Sequence, residues 1–336
     1  MKIGIIITPA TKKTKLIKAL KEENIDYTFI NLLDDQWFEY FQGKFDGYLV
    51  YPPAFTYEWR NIFFKRLYYI NHLIKDKMTP SLDAISMYES KISMHDFYKV
   101  HNIPHITSHT FYNFQDALEY AHGCSLPVVV KEDDGSGAMG VKIVKERKEL
   151  INLIKKSFYL ENKIKTKWNI KSLKQKLYPF KIAHDTKQNY LPLKSKRKGF
   201  IHIQNYKEVK YEWRIIRIGE SYFGHKKIEN EEGYHSGTLN KGWGEIPHRI
   251  LNLVKEISTR LNLKVMSFDL FETINGELYF NELQVIFGTS TEEQLKIDNV
   301  SGRYIFKNNK WIFDPGDFAR NGCENLKIKL SIQKTE

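Results

Sequence analysis

The stretch that decides the fold lies in the middle of the chain and reads LPVVVKEDDGSGAMGVKIV over residues 126–144. Its first six residues predict a strand that ends in Lys131, and residues 141–144 predict a second strand. Glycine in the connecting turn tolerates positive φ and lets backbone N–H groups approach phosphate oxygens, while the lysine adds a point charge. This hairpin predicts a phosphate-binding flap. An ordinary loop has the same composition, and the spacing of a Walker-type loop is absent.

Further strands are predicted downstream at residues 201–206, 212–219, 265–272 and 278–284. A turn at Gly276 joins the last two as a hairpin. Because side chains alternate along a strand, Glu282 and Gln284 face the same side, and the hairpin can bring them beside Asp269. Two carboxylates and an amide oxygen suit Mg²⁺ held between protein and substrate phosphates. The alternative is a group of polar residues on a solvated sheet face.

The N-terminal part of the chain alternates between strand and helix patterns. The predicted strands are 3–7, 27–32 and 45–51, and the predicted helices are 11–24 and 63–75. This alternation favours a small parallel α/β domain over about residues 1–88. No Gly-x-Gly-x-x-Gly follows the first strand, so a dinucleotide site there is not expected.

Composition excludes several classes of protein. The chain has 336 residues, 42% of them hydrophobic. No apolar run approaches the length of about 18 residues that crosses a bilayer, which excludes a membrane-spanning or wholly disordered chain. The short apolar stretch at the N-terminus does not resemble a signal peptide, so a cytoplasmic protein is expected. Cys124 and Cys323 alone cannot form a disulfide framework or a metal cluster.

The positive charge of the chain is concentrated in one segment. Overall, 52 Lys and Arg residues stand against 40 Asp and Glu residues. Residues 161–198 alone contain twelve Lys or Arg residues and only two acidic ones. This basic segment is either a solvated lysine-rich surface or an electropositive strip that attracts an anionic partner.

In their order and spacing these motifs resemble the ATP-grasp superfamily over about residues 85–300. The matching positions are Lys91 ahead of a helix, the strand ending in Lys131, Gly135-Ser136-Gly137 with Gly140, the Gln204 strand, Glu212-x-Arg214, and Asp269 with Glu282-x-Gln284. The resemblance implies an α/β protein with an α+β lid, preceded by a small parallel α/β pre-ATP-grasp domain.

The resemblance implies a division of the chain into three parts. Residues 1–88 would form the N-terminal domain, and residues 89–300 would form the ATP-grasp domain. Its lid would span about residues 105–206 and include the basic insertion 161–198. Residues 301–336 would be a C-terminal extension packed on the body, beginning with a hairpin and ending in a basic segment.

The resemblance also implies the cofactors, ATP and Mg²⁺ or Mn²⁺, and a role for each site residue. Lys91, Lys131, Gly135, Ser136, Gly137 and Gly140 would bind phosphates; Gln204, Asn205 and Tyr206 would form the adenine hinge, with Glu212 near the ribose. Asp269, Glu282 and Gln284 would hold magnesium. Arg214 and Lys227 would face phosphate or substrate as the catalytic cations, and Asn240 and Lys241 would contact substrate.

Three departures from the superfamily pattern are present. The metal strand carries Glu-x-Gln where Glu-x-Asn is common, so Gln284 must reach one methylene further. Asn205 stands where the hinge often has Glu. The connection from Val144 to residue 201 is longer than usual, and it contains the basic segment.

The activity implied by the resemblance is that of an ATP- and Mg²⁺-dependent ligase. Such an enzyme activates a carboxylate as an acyl phosphate, which an amine attacks to form an amide. The basic segment favours anionic substrates, such as an acidic peptide or a uronic-acid glycan. Neither nucleic acid nor a membrane is an expected partner, and a homodimer is compatible with the superfamily. Two alternatives remain: a kinase of the same architecture that phosphorylates a hydroxyl, and a polyanion-binding module without turnover.

Overall fold

A computed structural model of the chain describes residues 1–53, 57–133, 140–158, 199–228, 241–287 and 293–333. Its N-terminal sheet consists of β1 (Lys2–Ile7), β2 (Asp26–Asn31), β3 (Gly47–Val50) and β4 (Met78–Thr79). These strands are parallel in the order β2-β1-β3-β4. This sheet confirms the predicted parallel α/β arrangement.

The helices of the first part of the chain are α1 (Thr14–Glu22), α2 (Tyr57–Ile74), α3 (Leu82–Ser86) and α4 (Lys91–Val100). Leu16 and Leu20 of α1 pack against one set of sheet residues that includes Ile5, while Phe63 and Leu67 of α2 pack in a separate cluster. The two helices therefore cover different faces of the sheet, which is the arrangement that buries a parallel sheet on both sides.

A second sheet, here called the lid sheet, is antiparallel. Its strands are β5 (Ser108–Phe111), β6 (Val128–Lys131), β7 (Val141–Val144) and β8 (Ile201–Asn205), in the order β5-β8-β6-β7. Helices α5 (Phe114–Gly123) and α6 (Arg147–Phe158) share a core with Val128 and Ile203 on one face of the sheet. Because side chains alternate, Lys131, His202 and Gln204 lie on the other face.

The third sheet, here called the body sheet, has eight strands. They are β9 (Val209–Ile218), β10 (Ser221–Lys227), β11 (Lys241–Gly242), β12 (Val265–Thr273), β13 (Leu278–Gln284), β14 (Lys296–Ile297), β15 (Val300–Lys307) and β16 (Lys310–Pro315). The order is β13-β12-β9-β10-β15-β14, with β11 on β10 and β16 on β15. Helix α7 (His248–Arg260) and helix α4 contribute side chains to its core.

The chain ends with a helix that the sequence analysis did not foresee, α8 (Glu324–Ile332). It packs on α1 and β3 of the N-terminal domain. A Cβ atom on Gly47 would lie 1.8 Å from the carbonyl oxygen of Ser331, so only glycine lets β3 pass this close to α8. The Tyr51 hydroxyl donates to Glu324, whose other oxygen accepts from Lys327 at 3.0 Å. These contacts hold α8 against the N-terminal sheet and α1. Among the described residues, no helix is both long and apolar enough to cross a membrane.

Candidate active site

Asp133 anchors the start of the glycine-rich turn to helix α4. Its Oδ1 accepts from the Ser90 hydroxyl at 2.8 Å and from the backbone N–H of Ile92 at 3.0 Å. The backbone N–H of Lys91 donates to the Asp133 carbonyl at 3.2 Å. A carboxylate at a helix N-terminus satisfies backbone donors and offsets the positive end of the helix dipole. This capping places Lys91 beside the start of the turn, as a shared phosphate site requires.

The end of the turn is fixed by Gly140. Its carbonyl accepts from the backbone N–H of Glu132 at 2.7 Å, and its φ of +79° favours glycine. Three of the predicted phosphate-binding residues, Gly135, Ser136 and Gly137, lie outside the described residues, as does the predicted substrate residue Asn240.

The end of β8 in the lid sheet carries the predicted hinge. Gln204 is buried, and its Nε2 donates to the Ser108 hydroxyl at 3.2 Å. Asn205 is exposed and accepts from the Tyr120 hydroxyl at 3.3 Å, and Tyr206 beside it is also exposed. The three residues therefore lie together at the end of β8, and their contact with adenine stays a prediction.

Lys131 lies on the same face, directly opposite His202 on β8. Its ammonium donates to Asn281 Oδ1 of the body sheet at 3.1 Å. Burial, followed by the positive charge of Lys91, lowers the pKa of Lys131 to about 8. The two lysines predicted to bind phosphate are thus close enough to repel one another, which an anionic ligand between them would relieve.

The body sheet opposite carries a buried ionic network centred on Asp269. Arg214 donates from Nε and Nη2 to the two Asp269 oxygens, each at 2.8 Å. Lys227 bridges two carboxylates, with its Nζ 2.6 Å from Asp269 Oδ2 and 2.6 Å from Glu212 Oε1. Burial would raise the pKa of Asp269, but the charges of Arg214 and Lys227 hold it well below its ordinary value. The structure thus brings four of the predicted site residues into one network.

The predicted metal ligands lie at one edge of this network. Asp269 and Glu282 are paired across β12 and β13, and Gln284 Nε2 donates to Glu282 Oε1 at 2.6 Å. Oε1 of Gln284 is buried and has no hydrogen-bond partner among the described residues. Such an oxygen suits a cation.

The metal-ligand set fits Mg²⁺ only in part. No group of three or more His, Cys, Asp or Glu side chains in the described ranges could hold a metal ion. Mg²⁺ commonly takes only one or two protein carboxylates and completes its shell with phosphates and water. Glu282 and Gln284 fit that pattern, whereas both oxygens of Asp269 are already held by Arg214 and Lys227. Asp269 as a metal ligand therefore stays a prediction.

Lys241 lies beside the network on the predicted substrate side. It is paired with Lys227 between β10 and β11, and its Nζ donates to the Glu293 carbonyl at 3.3 Å. Burial, followed by the charge of Arg214, lowers the pKa of Lys241 to about 8. A second lysine with a suppressed pKa thus extends the positive region away from Asp269.

Sequence reasoning missed Asn281 and His202. Strict alternation along β13 assigns Asn281 to the face opposite Glu282, but the pairing between β12 and β13 shifts register at Asp269/Leu270. The resulting irregularity turns Asn281 toward Lys131. His202 alternates with Gln204 along β8, so its position on the same face as Lys131 and Gln204 could be predicted from the strand pattern.

Comparisons with known proteins identify the same architecture. Residues 90–194 match the family described as "Carbamoyl-phosphate synthase L chain, ATP binding domain". No curated protein matches the chain. Among solved structures, D-alanine–D-alanine ligase from Bacillus anthracis superposes with a TM-score of 0.55 at 14% identity, covering 99% of this chain and 97% of that one.

Two further solved structures are similar. N5-carboxyaminoimidazole synthetase from Staphylococcus aureus gives a TM-score of 0.54 at 10% identity, over 99% of this chain and 77% of that one. The RimK domain protein ATP-grasp from Sphaerobacter thermophilus gives 0.50 at 11% identity, over 85% and 92%. At these identities the likeness is one of fold. With its lid sheet, body sheet and parallel N-terminal domain, the chain has the ATP-grasp fold.

Proposed function

We propose that the protein is an ATP- and Mg²⁺-dependent ligase that joins a carboxylate to an amine through an acyl phosphate. The observation that carries the proposal is the opposition of two charged surfaces. On the lid sheet, Lys131 has the neutral amide of Asn281 as its hydrogen-bond partner among the described residues. On the body sheet, Arg214 and Lys227 bind Asp269. We infer a nucleotide cleft between these two surfaces, because cations on both sides suit a reaction in which phosphate charge moves between reactants.

In this proposal the nucleotide is held chiefly by the lid side of the cleft. Lys91, Lys131 and the backbone of the glycine-rich turn bind the phosphates, and Gln204, Asn205 and Tyr206 bind adenine. Glu282 and Gln284 hold Mg²⁺, which would offset negative charge on the phosphates. Glu212 lies near the ribose.

Arg214 and Lys227 face the reacting groups. The guanidinium of Arg214 already grips a carboxylate with two parallel hydrogen bonds, the geometry that also fits a substrate carboxylate or a phosphoryl group. A carboxylate oxygen of the substrate bonds to the γ-phosphorus as the bond from that phosphorus to ADP breaks. The amine nitrogen then bonds to the acyl carbon, phosphate leaves with the bonding electrons, and the surplus proton passes to water.

The charge of the cleft supports an anionic carboxylate substrate. Lys241 continues the positive surface from Lys227, and its lowered pKa reflects an environment that would gain from a bound anion. An acidic peptide or a uronic-acid compound has the required chemistry.

The proposal is tested with Mg-ATP, pooled amino acids, peptides and uronic acids, and hydroxylamine as a surrogate amine. The expected result is a hydroxamate, detected by mass spectrometry, in an amount that matches the ADP released. ADP release with a phosphorylated hydroxyl compound and no hydroxamate would identify a kinase instead. ATP binding without turnover in any pool would contradict both enzyme assignments and favour a binding module.

A further inference from the structure

Asn281 occupies the junction between the lid sheet and the body sheet. It stands between Phe280 and Glu282, where β12 pairs Asp269 with Glu282 but Leu270 with Phe280. Asn281 is therefore the extra residue of a β-bulge, a feature that commonly redirects a side chain near an active site. The bulge turns its amide toward Lys131 on β6.

The orientation of the Asn281 amide is set by its two partners. Its Oδ1 lies 3.1 Å from Lys131 Nζ, and an ammonium can only donate. Its Nδ2 lies 3.4 Å from Glu212 Oε1, and an ionised carboxylate can only accept. A flipped amide would satisfy neither contact, so the orientation of the side chain is fixed. In this orientation Asn281 links Lys131 of the lid sheet to the ionic network of the body sheet.

The chemical type of this residue matters as much as its position. Lys131 is faced by Lys91 on α4, His202 on β8, and the more distant carboxylates Glu212 and Glu282 of the body sheet. The atom in hydrogen-bond contact with it is an amide oxygen, which orients the ammonium without cancelling its charge. A carboxylate in the same place would form an ion pair and reduce the attraction of Lys131 for phosphate.

We propose that Asn281 is a positioning residue for the nucleotide site: it holds Lys131 toward the phosphates while leaving its charge available, and it ties the lid sheet to the body sheet. The inference rests on the proposed function only in that the site binds ATP. It goes beyond that function by assigning a role to a residue outside the metal, hinge and lysine positions.

The decisive variant is Asn281→Asp, which keeps the shape of the side chain and adds one negative charge. Dissociation constants for ATP, ADP and adenosine are measured by calorimetry. ATP and ADP are expected to bind about tenfold more weakly or worse, because the new negative charge pairs with Lys131 and repels the phosphates. Adenosine, which has no phosphate, is expected to bind within about twofold of the wild type. The matched control is Asn262→Asp, which adds the same charge at an exposed position after α7.

A pH series gives a readout that a purely structural role would not move. Wild-type affinity for ATP is expected to fall as pH rises through about 8, where Lys131 loses its proton in the free protein. In Asn281→Asp the new carboxylate raises the pKa of Lys131, so the fall begins at higher pH even though the affinity is lower. Asn281→Ala serves as a second variant, expected to weaken ATP binding with the fall remaining near pH 8.

The outcomes separate this inference from the proposed function. Equal losses for ATP and adenosine, or an unshifted pH profile in Asn281→Asp, would overturn the role of Asn281 even if hydroxamate forms. Normal nucleotide behaviour as described, with no hydroxamate from any carboxylate, would leave Asn281 as the positioning residue and overturn the ligase.

Discussion

Lys131 on the lid sheet and Lys227 on the body sheet are linked through Asn281 and Glu212 but have opposite surroundings. Lys227 is buried between two carboxylates, Asp269 and Glu212, each 2.6 Å from its Nζ. Lys131 is partly buried, and its contact is the amide of Asn281. Burial would lower the pKa of Lys227, but Asp269 and Glu212 raise it above its ordinary value, whereas burial and Lys91 lower that of Lys131 to about 8.

This difference indicates that the charge of Lys227 is balanced within the protein. The charge of Lys131 would be balanced by an anionic ligand. The body network of Arg214, Lys227, Glu212 and Asp269 contains two cations and two anions in mutual contact. Among the described residues, no carboxylate forms an ion pair with Lys131, whose hydrogen-bond partner is the Asn281 amide. A charged group that is removed from water on folding and gains no ion-pair partner is characteristic of binding sites. We therefore expect the network of Arg214, Lys227, Glu212 and Asp269 to contribute mainly to structure and orientation, and we expect Lys131 to bind an anion.

The largest expected effect separates the two lysines by activity. Lys131→Met should reduce ATP-dependent turnover by roughly 1,000-fold, because a cation aimed at developing phosphate charge is lost. Its free energy of unfolding should change little, since Lys131 makes a hydrogen bond to an amide and no ion pair with the described residues. Turnover is measured as ADP release, and stability by urea unfolding. Lys145→Met, at an exposed position just after β7, is the control. Retained turnover in Lys131→Met would contradict the assignment of the lid face.

The second prediction concerns Lys227, for which we expect a large loss of stability. Lys227→Met should lower the free energy of unfolding by about 3–5 kcal/mol, because it leaves Glu212 and Asp269 buried with less compensation. Urea unfolding followed by circular dichroism measures the change. Lys264→Met, which removes an exposed lysine, should cost less than about 0.5 kcal/mol. If Lys227→Met and Lys264→Met are equally stable, the network around Asp269 does not stabilise the fold as argued above.

Much of the fold could be predicted from the sequence because its strands are strong local patterns. The strand 278–284 was predicted with the bounds that the structure gives, and the hairpin turn at Gly276 correctly predicted that it pairs with the strand that carries Asp269. Helix α8 could not be foreseen in the same way. Asn325 and Lys327 are buried in it, so its sequence lacks the regular apolar stripe by which an amphipathic helix is recognised.

The candidate site was predicted less completely, for a different physical reason. Residue types and their order were enough to select Lys131, Arg214 and Asp269. The sequence does not contain strand order, and only the adjacency of β12, β9 and β10 shows that Arg214 and Lys227 saturate Asp269. A bulge is likewise a property of two paired strands, so alternation along β13 alone misplaced Asn281.

The third prediction is that His202 of the lid sheet and Asp269 of the body sheet lose their contributions to stability at different pH. Burial, then the charge of Lys131, lowers the pKa of His202 to about 3 from an ordinary value of 6.5. An imidazole whose pKa is lower in the folded state stabilises the protein above pH 6.5, and this contribution is lost as pH falls toward 3. The loss should approach about 1.4 kcal/mol per pH unit. Asp269, a carboxylate whose pKa is held lower still, loses its contribution only in more acidic solution.

Urea unfolding at several pH values tests this difference. The free energy of unfolding of the wild type should begin to fall near pH 6, and His202→Gln should make this fall less steep between pH 6 and 4. A slope remains in the variant because burial also lowers the pKa of His95 to about 4 and that of His225 to about 3. His122→Gln, at an exposed position near the end of α5, should leave it unchanged. A wild-type curve that is flat down to pH 4 would contradict a neutral, buried His202.

The smallest expected effect concerns Gln204, where the lid face is ordered by hydrogen bonds in place of ions. The Ser108 hydroxyl donates to the Ile106 carbonyl at 3.0 Å, so its oxygen must accept from Gln204 Nε2 at 3.2 Å. If Gln204 contacts adenine as proposed, this relay would leave its Oε1 to accept from the 6-amino group, which guanine lacks. Ser108→Ala releases the amide, which then offers donor and acceptor alike. The preference for ATP over GTP, measured as a ratio of dissociation constants, should fall about two- to tenfold, the scale of one hydrogen bond.

Inorganic triphosphate provides the control for Ser108→Ala. Because Lys131 is unchanged in this variant, its affinity for inorganic triphosphate should equal that of the wild type. If that affinity falls as much as the affinity for ATP, Ser108 stabilises the lid sheet as a whole and does not orient the group that selects the base.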